Sequence, residues 1–340
     1  MSQDKVKTHE RLNTLFMDDG VPVRSLADEK FVMFSDTHLG NGKKADDFRK
    51  NEGALVAALD YYRRQGYHLL LLGDIEEFWQ FDLNEVETRY KSTVYQALRG
   101  YGPERVTRVY GNHDMDWRTL DDPARDGRTP EVNASEAVKL ADAGGEVKFL
   151  LVHGHQGSKT SDKQSWSSRF FVRCFRGVEP LAKKLGITTH PPATKSQVTR
   201  GYEKIFYDWA KDKGLNIICG HSHHAIFASK SYYQRCREEI VALEADTRAH
   251  PENKAENDQA IKKLKKEVKR EKKRKMNRVE LDPPAELKPC YYNTGCALFK
   301  DGITAIELEG EEIRLVKWNR DEKIHPRREQ YQAGPWHWNH

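Results

Sequence analysis

FVMFSDTH, residues 31–38, is an apolar run of four that breaks abruptly into Ser35, Asp36, Thr37 and His38. A continuous apolar run of this length suits a strand buried on both faces, with the polar cluster at its carboxyl end. The chain repeats the form four more times: YHLLLLGD (67–74), VTRVYGNHD (106–114), VKFLLVHGH (147–155) and LNIICGHSH (215–223). Helical patterns lie between them, over 50–65 and 84–100, so the chain reads as α/β built from strand–helix units. After residue 288 the runs YYNTGCALF, GITAIELEG and EIRLVKW alternate and turn at glycines, which predicts an antiparallel meander.

The polar residues at these strand ends carry the chemistry. Asp36 and His38 follow the first run, and Asp74 with Glu77 the second. Asn112 and His113 follow the third, His153 the fourth, and His221 and His223 the fifth. In an α/β sheet, ligands gather outside the carboxyl ends of the strands. Glycines 73, 111, 154 and 220 sit beside these residues, where the chain must turn sharply. A lone DxH or GNH is more often a turn than a site. Five such clusters in order are hard to explain by packing.

The last cluster puts three histidines within four residues, at 221, 223 and 224. Crowded imidazoles repel one another when protonated, which suits neutral ligands to a metal. Read as extended chain, His221 and His223 point to the same side and His224 to the other. His155 also falls outside the ligand positions. The donor set is oxygen and nitrogen without thiolate, which suits manganese, iron or zinc rather than a structural zinc finger. It is too large for one ion. Two cations roughly 3.5–4 Å apart, sharing a carboxylate, account for it. A water held between such cations loses its proton near neutral pH, and the pair neutralises charge on a phosphoryl group.

Composition bounds the rest. The chain has 340 residues, 32% of them charged, and a mean hydropathy of −0.84. No apolar run approaches the roughly 18 residues of a membrane helix. The first twenty residues lack the apolar core of a secretory signal. Five scattered cysteines (174, 219, 236, 290 and 296) form no CxxC pair, which suits free thiols in a reducing, cytoplasmic setting. The net charge of +5 is uneven: residues 261–278 hold eleven Lys or Arg against two Glu, so the remainder is acidic.

The series DTH, GDIEE, GNHD, VHGH and GHSH resembles the signature motifs of the calcineurin-like metallophosphoesterase superfamily. YNTG at 292–295 resembles a later strand of that family. The resemblance implies a four-layer αββα sandwich. It gives one metal Asp36, His38, Asp74 and His223, and the other Asp74, Asn112, His153 and His221, with Asp74 as the bridge. It gives His113 the role of general acid, and Glu77 the role of orienting that histidine. The cations it implies are two divalent ions, with Mn²⁺ first and Fe or Zn²⁺ as alternatives.

Within the superfamily, the long segment between His153 and His221 and the pattern GDxxExW at 73–79 resemble UDP-2,3-diacylglucosamine diphosphatases. Three departures bear on substrate rather than on metal chemistry: His113 where those enzymes usually have Arg, HGHQ where they have HGD, and a longer chain. The expected organisation is an N-terminal extension over 1–29, a catalytic domain over 30–320 and a tail over 321–340. Two insertions interrupt the domain. The first, 160–205, is expected to be a lid helix with Trp166, Phe170, Phe171, Cys174 and Phe175 on one face. Its Arg169, Arg173 and Arg176 are candidate phosphate-binding residues. The second, 231–288, reads as a helical hairpin whose basic arm, 261–278, is either a solvated face or a contact for nucleic acid or an anionic membrane surface.

The function expected from these readings is metal-dependent hydrolysis of a phosphoester or pyrophosphate bond in a phosphorylated small molecule or lipid-linked substrate. A nuclease or nucleotide phosphodiesterase is the alternative. A non-catalytic scaffold of the same fold is disfavoured, because every ligand position and His113 are filled.

Overall fold

A computed structural model describes residues 3–27, 29–118, 134–157, 196–273, 281, 286–320 and 326–337. Two seven-stranded sheets stack face to face. The first has the order β14-β13-β12-β2-β3-β4-β5. In it β2 (Phe31–Phe34), β3 (His68–Leu72) and β4 (Val106–Val109) run parallel, continued by the short β5 (Ala134–Ser135). The antiparallel strands β12 (Gly302–Glu309), β13 (Glu312–Asn319) and β14 (Arg327–Pro335) complete it. The second sheet has the order β1-β6-β7-β8-β11-β9-β10. Its centre is β7 (Val147–Val152), β8 (Asn216–Cys219) and β11 (Tyr291–Thr294), all parallel. Around them lie β1 (Val23–Ser25), β6 (Ala137–Ala141), β9 (Ala225–Phe227) and β10 (Lys230–Ser231).

Strand periodicity explains the layering, because alternate side chains point to opposite faces. Phe31, Met33, Leu70 and Leu72 of one sheet meet Phe149, Leu151, Ile218 and Tyr292 of the other in a central core. The intervening residues Val32, Phe34, Leu69 and Leu71 face outward, under helices α2 (Glu52–Arg64), α3 (Leu83–Tyr90) and α4 (Val94–Arg99). On the other side Leu150, Val152 and Ile217 pack under α1 (Gln3–Met17) and α5 (Ser196–Lys213), with Leu12, Phe206 and Trp209. Three apolar cores between four layers give the αββα sandwich.

Two expectations are corrected. YYNTGCALF does not open the meander: its strand β11 joins the second sheet beside β8, and the antiparallel run is β12-β13-β14. β14 falls in the segment read as a tail; its sequence RREQYQAGP has no apolar alternation because it is an edge strand with no fully buried residue, only Tyr331 packing half-buried against the central core. The lid face and Arg169, Arg173 and Arg176 lie outside the described residues. Residues 232–273 form α6 (Tyr232–Ala249) and α7 (Lys254–Lys273), with Ser231 capping α6 by accepting from Gln234 N at 3.3 Å. The stacked rings of Tyr232 and Tyr331, 4.3 Å apart, tie its base to β14. Cys219, Cys236, Cys290 and Cys296 are buried thiols outside any disulfide. No helix among the described residues is long and apolar enough to cross a membrane.

Candidate metal centre

The candidate ligands sit on loops leaving the carboxyl ends of strands in both sheets. Asp36 and His38 follow β2, Asp74 follows β3, and Asn112 follows β4 in one sheet. His153 follows β7, and His221 and His223 follow β8, in the other. Five of the seven non-glycine residues with left-handed backbone among the described residues are Asp36, His38, Asp74, His221 and His223. Such a conformation costs of order 1 kcal/mol or more each and collects at functional sites. It also corrects the expectation of an extended 221–223 segment. β8 stops at Cys219, and left-handed turns, with φ of 65° and 59°, aim the two imidazoles.

The loops hold one another. Asp36 N donates to Gly73 O at 3.0 Å, and His38 N to Asp74 O at 3.0 Å. Gly73, at φ +84°, lies so close to the next loop that a Cβ there would stand 2.6 Å from Gly111 N and from His153 Nδ1. No other residue fits that approach.

These constraints divide the roles of the carboxylate oxygens. Asp36 Oδ2 accepts from His221 N at 2.9 Å and from Ser35 Oγ. Its Oδ1 lies 3.1 Å from His223 Nε2 yet is buried without a hydrogen bond. Asp74 Oδ1 accepts from His113 N at 2.8 Å. Asp74 Oδ2 stands 3.9 Å from His38 Nε2 and 3.1 Å from His153 Nε2. His153 Nδ1 faces Leu72 O at 2.8 Å, which leaves Nε2 as the free lone pair, also buried and unpartnered. Asn112 Oδ1 is a third buried polar atom without a partner.

Ligand atoms of Asp36, His38 and His223 converge within 4.8 Å of one another, and so do those of Asp74, His153 and His221. Lone pairs that approach closely without hydrogen bonding, in a buried site, are what a coordinated cation requires. The residues present fit divalent cations.

The electrostatics agree. Burial pushes Asp36 up, but His223 and His153 outweigh it and hold the carboxyl below its usual range. Burial likewise opposes ionisation of Asp74, and His153, His113 and His38 bring it well below. Burial pushes His38 down, but the hydrogen bond and charge of Glu77 raise it to about 9. Asp74 raises His153 against burial to about 10. Burial, with His153 adding to it, takes His221 down to about 3.

A family profile described as calcineurin-like phosphoesterase matches residues 29–225, more than half of the chain. The chain belongs to that family. No curated protein matches it. Among solved structures it is similar to vacuolar protein sorting 29 from Cryptosporidium parvum, at 10% identity and a TM-score of 0.36. That similarity covers 90% of this chain and 98% of the other.

Beside the candidate ligands of this calcineurin-like phosphoesterase, His113 Nδ1 lies 2.7 Å from Glu77 Oε1. Burial pushes Glu77 up, but His113 and His38 hold it down at about 2, so it is ionised at neutral pH. His155 is buried with Nδ1 unpartnered, its ring 5.5 Å from that of His153. His224 pairs through Nδ1 with the buried Glu203 at 2.9 Å.

Two contributors had no role assigned from sequence. Trp79 stacks on His113 at 4.0 Å and 21°, and its Nε1 donates to Asn112 O at 2.8 Å. Asp114 accepts from Gly111 N at 2.6 Å and Ile75 N at 2.8 Å, joining the loops after β3 and β4. Both lie in quoted motifs, GDxxExW and GNHD, which were the available signal.

Proposed function

We propose that this phosphoesterase hydrolyses a phosphoester or pyrophosphate bond using two divalent cations, with His113 as the proton donor to the leaving oxygen. The observation that carries the reading is the position of Asp74 Oδ2, near His38 of one ligand group and His153 of the other. Asp36, His38, Asp74 and His223 would hold one cation, and Asp74, Asn112, His153 and His221 the second. When bound, such a pair lowers the pKa of a water and neutralises charge gathering on the phosphoryl oxygens. Mn²⁺ suits the oxygen and nitrogen donors first, with Fe and Zn²⁺ as alternatives.

The protein's own part is positional. Glu77 and Trp79 grip His113 by edge and face, leaving Nε2 free to meet a substrate. The favoured substrate is a lipid-linked or small-molecule diphosphate, supported by the GDxxExW pattern and the long segment between His153 and His221. The test is a screen of the Mn²⁺-loaded protein against phosphate monoesters, diesters, nucleic acids and pyrophosphate esters, lipid-linked ones included. Cation-dependent turnover is expected, fastest on pyrophosphate esters. Preference for nucleic acid would replace this substrate with the nuclease reading, and no turnover of any class would remove the hydrolase.

A further inference from the structure

Glu77 is 6% exposed, and its two oxygens go to different histidines. Oε1 lies 2.7 Å from His113 Nδ1, and Oε2 lies 2.8 Å from His38 Nδ1. A carboxylate only accepts, so each ring carries hydrogen on Nδ1. That leaves Nε2 of His38 as a lone pair, and it stands 3.3 Å from His223 Nε2 and 3.9 Å from both Asp36 Oδ1 and Asp74 Oδ2. The two rings meet edge to face, 4.7 Å apart.

We propose that Glu77 is a positioning residue shared by both halves of the site, one carboxylate holding the Nδ1 hydrogen of the cation ligand His38, so that Nε2 is its lone pair, and that of the proton donor His113, whose imidazolium then carries on Nε2 the proton it gives up. The half concerning His113 rests on the proposed function; the half concerning His38 needs only that His38 binds a cation. A glutamine cannot replace it, because an amide has one acceptor and one donor end. Whichever histidine faces the donor end must accept at Nδ1 and carry its hydrogen on Nε2. For His38 that blocks ligation.

The test is calorimetric titration of Mn²⁺ into the cation-stripped full chain, comparing wild type, Glu77→Ala and His113→Ala. Loss of an outer partner to a ligating histidine typically weakens cation affinity about 10–100-fold. Glu77→Ala, which leaves His38 Nδ1 with no acceptor, should weaken one site by that factor although Glu77 is assigned to no cation, while His113→Ala keeps wild-type affinities. Wild-type affinity at both sites in Glu77→Ala would overturn the proposal. If that variant does not fold, ¹⁵N spectra of the histidine rings in Zn²⁺-loaded wild type decide the matter. Hydrogen on Nδ1 of His38 supports the shared role, and hydrogen on its Nε2 overturns it. Absence of leaving-group dependence in His113→Ala would defeat the proton-donor reading alone and leave the His38 result standing.

Discussion

His113 is held on three sides: Glu77 at Nδ1, Trp79 on one face and the ring of His38 roughly perpendicular beside it. A ring so confined can present only Nε2 to a substrate, which is the geometry a general acid needs. Replacing it with alanine should leave cation binding intact and slow turnover about 10²–10⁴-fold on esters with poor leaving groups. The loss should shrink for p-nitrophenyl esters, whose leaving oxygen needs no proton. Steady-state rates across a series of phenols check this, and an equal loss throughout would assign His113 another role. The residue types of the site were legible because each candidate ligand sits within a few residues of an apolar run. The contacts of Trp79 and the second contact of Glu77 were not, since they arise where loops from different strands meet.

The elements show the same division. The strands were legible from their uninterrupted apolar runs, but the turn after β8 was not. Extended chain and left-handed turn can both follow a short strand, and here backbone contacts between neighbouring loops select the turn. The α6–α7 hairpin was legible as two helices from its charge-rich pattern and the HPEN turn. Its basic arm is partly neutralised by its neighbours. Lys265 lies 3.5 Å from Glu244, Lys263 lies 3.8 Å from Glu329, and Arg270 lies 3.0 Å from Asp301. The arm also has no aromatic residue on which bases could stack. Exchanging the exposed Lys262, Lys266, Lys269 and Lys273 for glutamine should therefore leave nucleic-acid affinity and its salt slope nearly unchanged. Filter binding at about 50 and 200 mM salt is the check. If the exchange flattened a slope of tens-fold or more between those salts, the arm would instead be a phosphate-binding surface.

At the scale of the molecule, the layering followed from strand period, while the sheet that receives β11 did not. Pairing partners are set by long-range packing, and YYNT would suit either sheet. The consequence for function is that the candidate ligands come from both sheets, with Asp36, His38, Asp74 and Asn112 facing His153, His221 and His223 across the sandwich edge. Cations held as proposed would join the two sheets, and Asp74, whose Oδ2 lies 3.9 Å from His38 Nε2 and 3.1 Å from His153 Nε2, would be shared by both. Counting bound cations by elemental analysis after dialysis in Mn²⁺, in wild type and in Asp74→Ala, tests this most directly. Two per chain in the wild type are expected, with a greater loss in Asp74→Ala than in any variant of a single-cation ligand. One cation per chain in the wild type, or two full equivalents in Asp74→Ala, would contradict it.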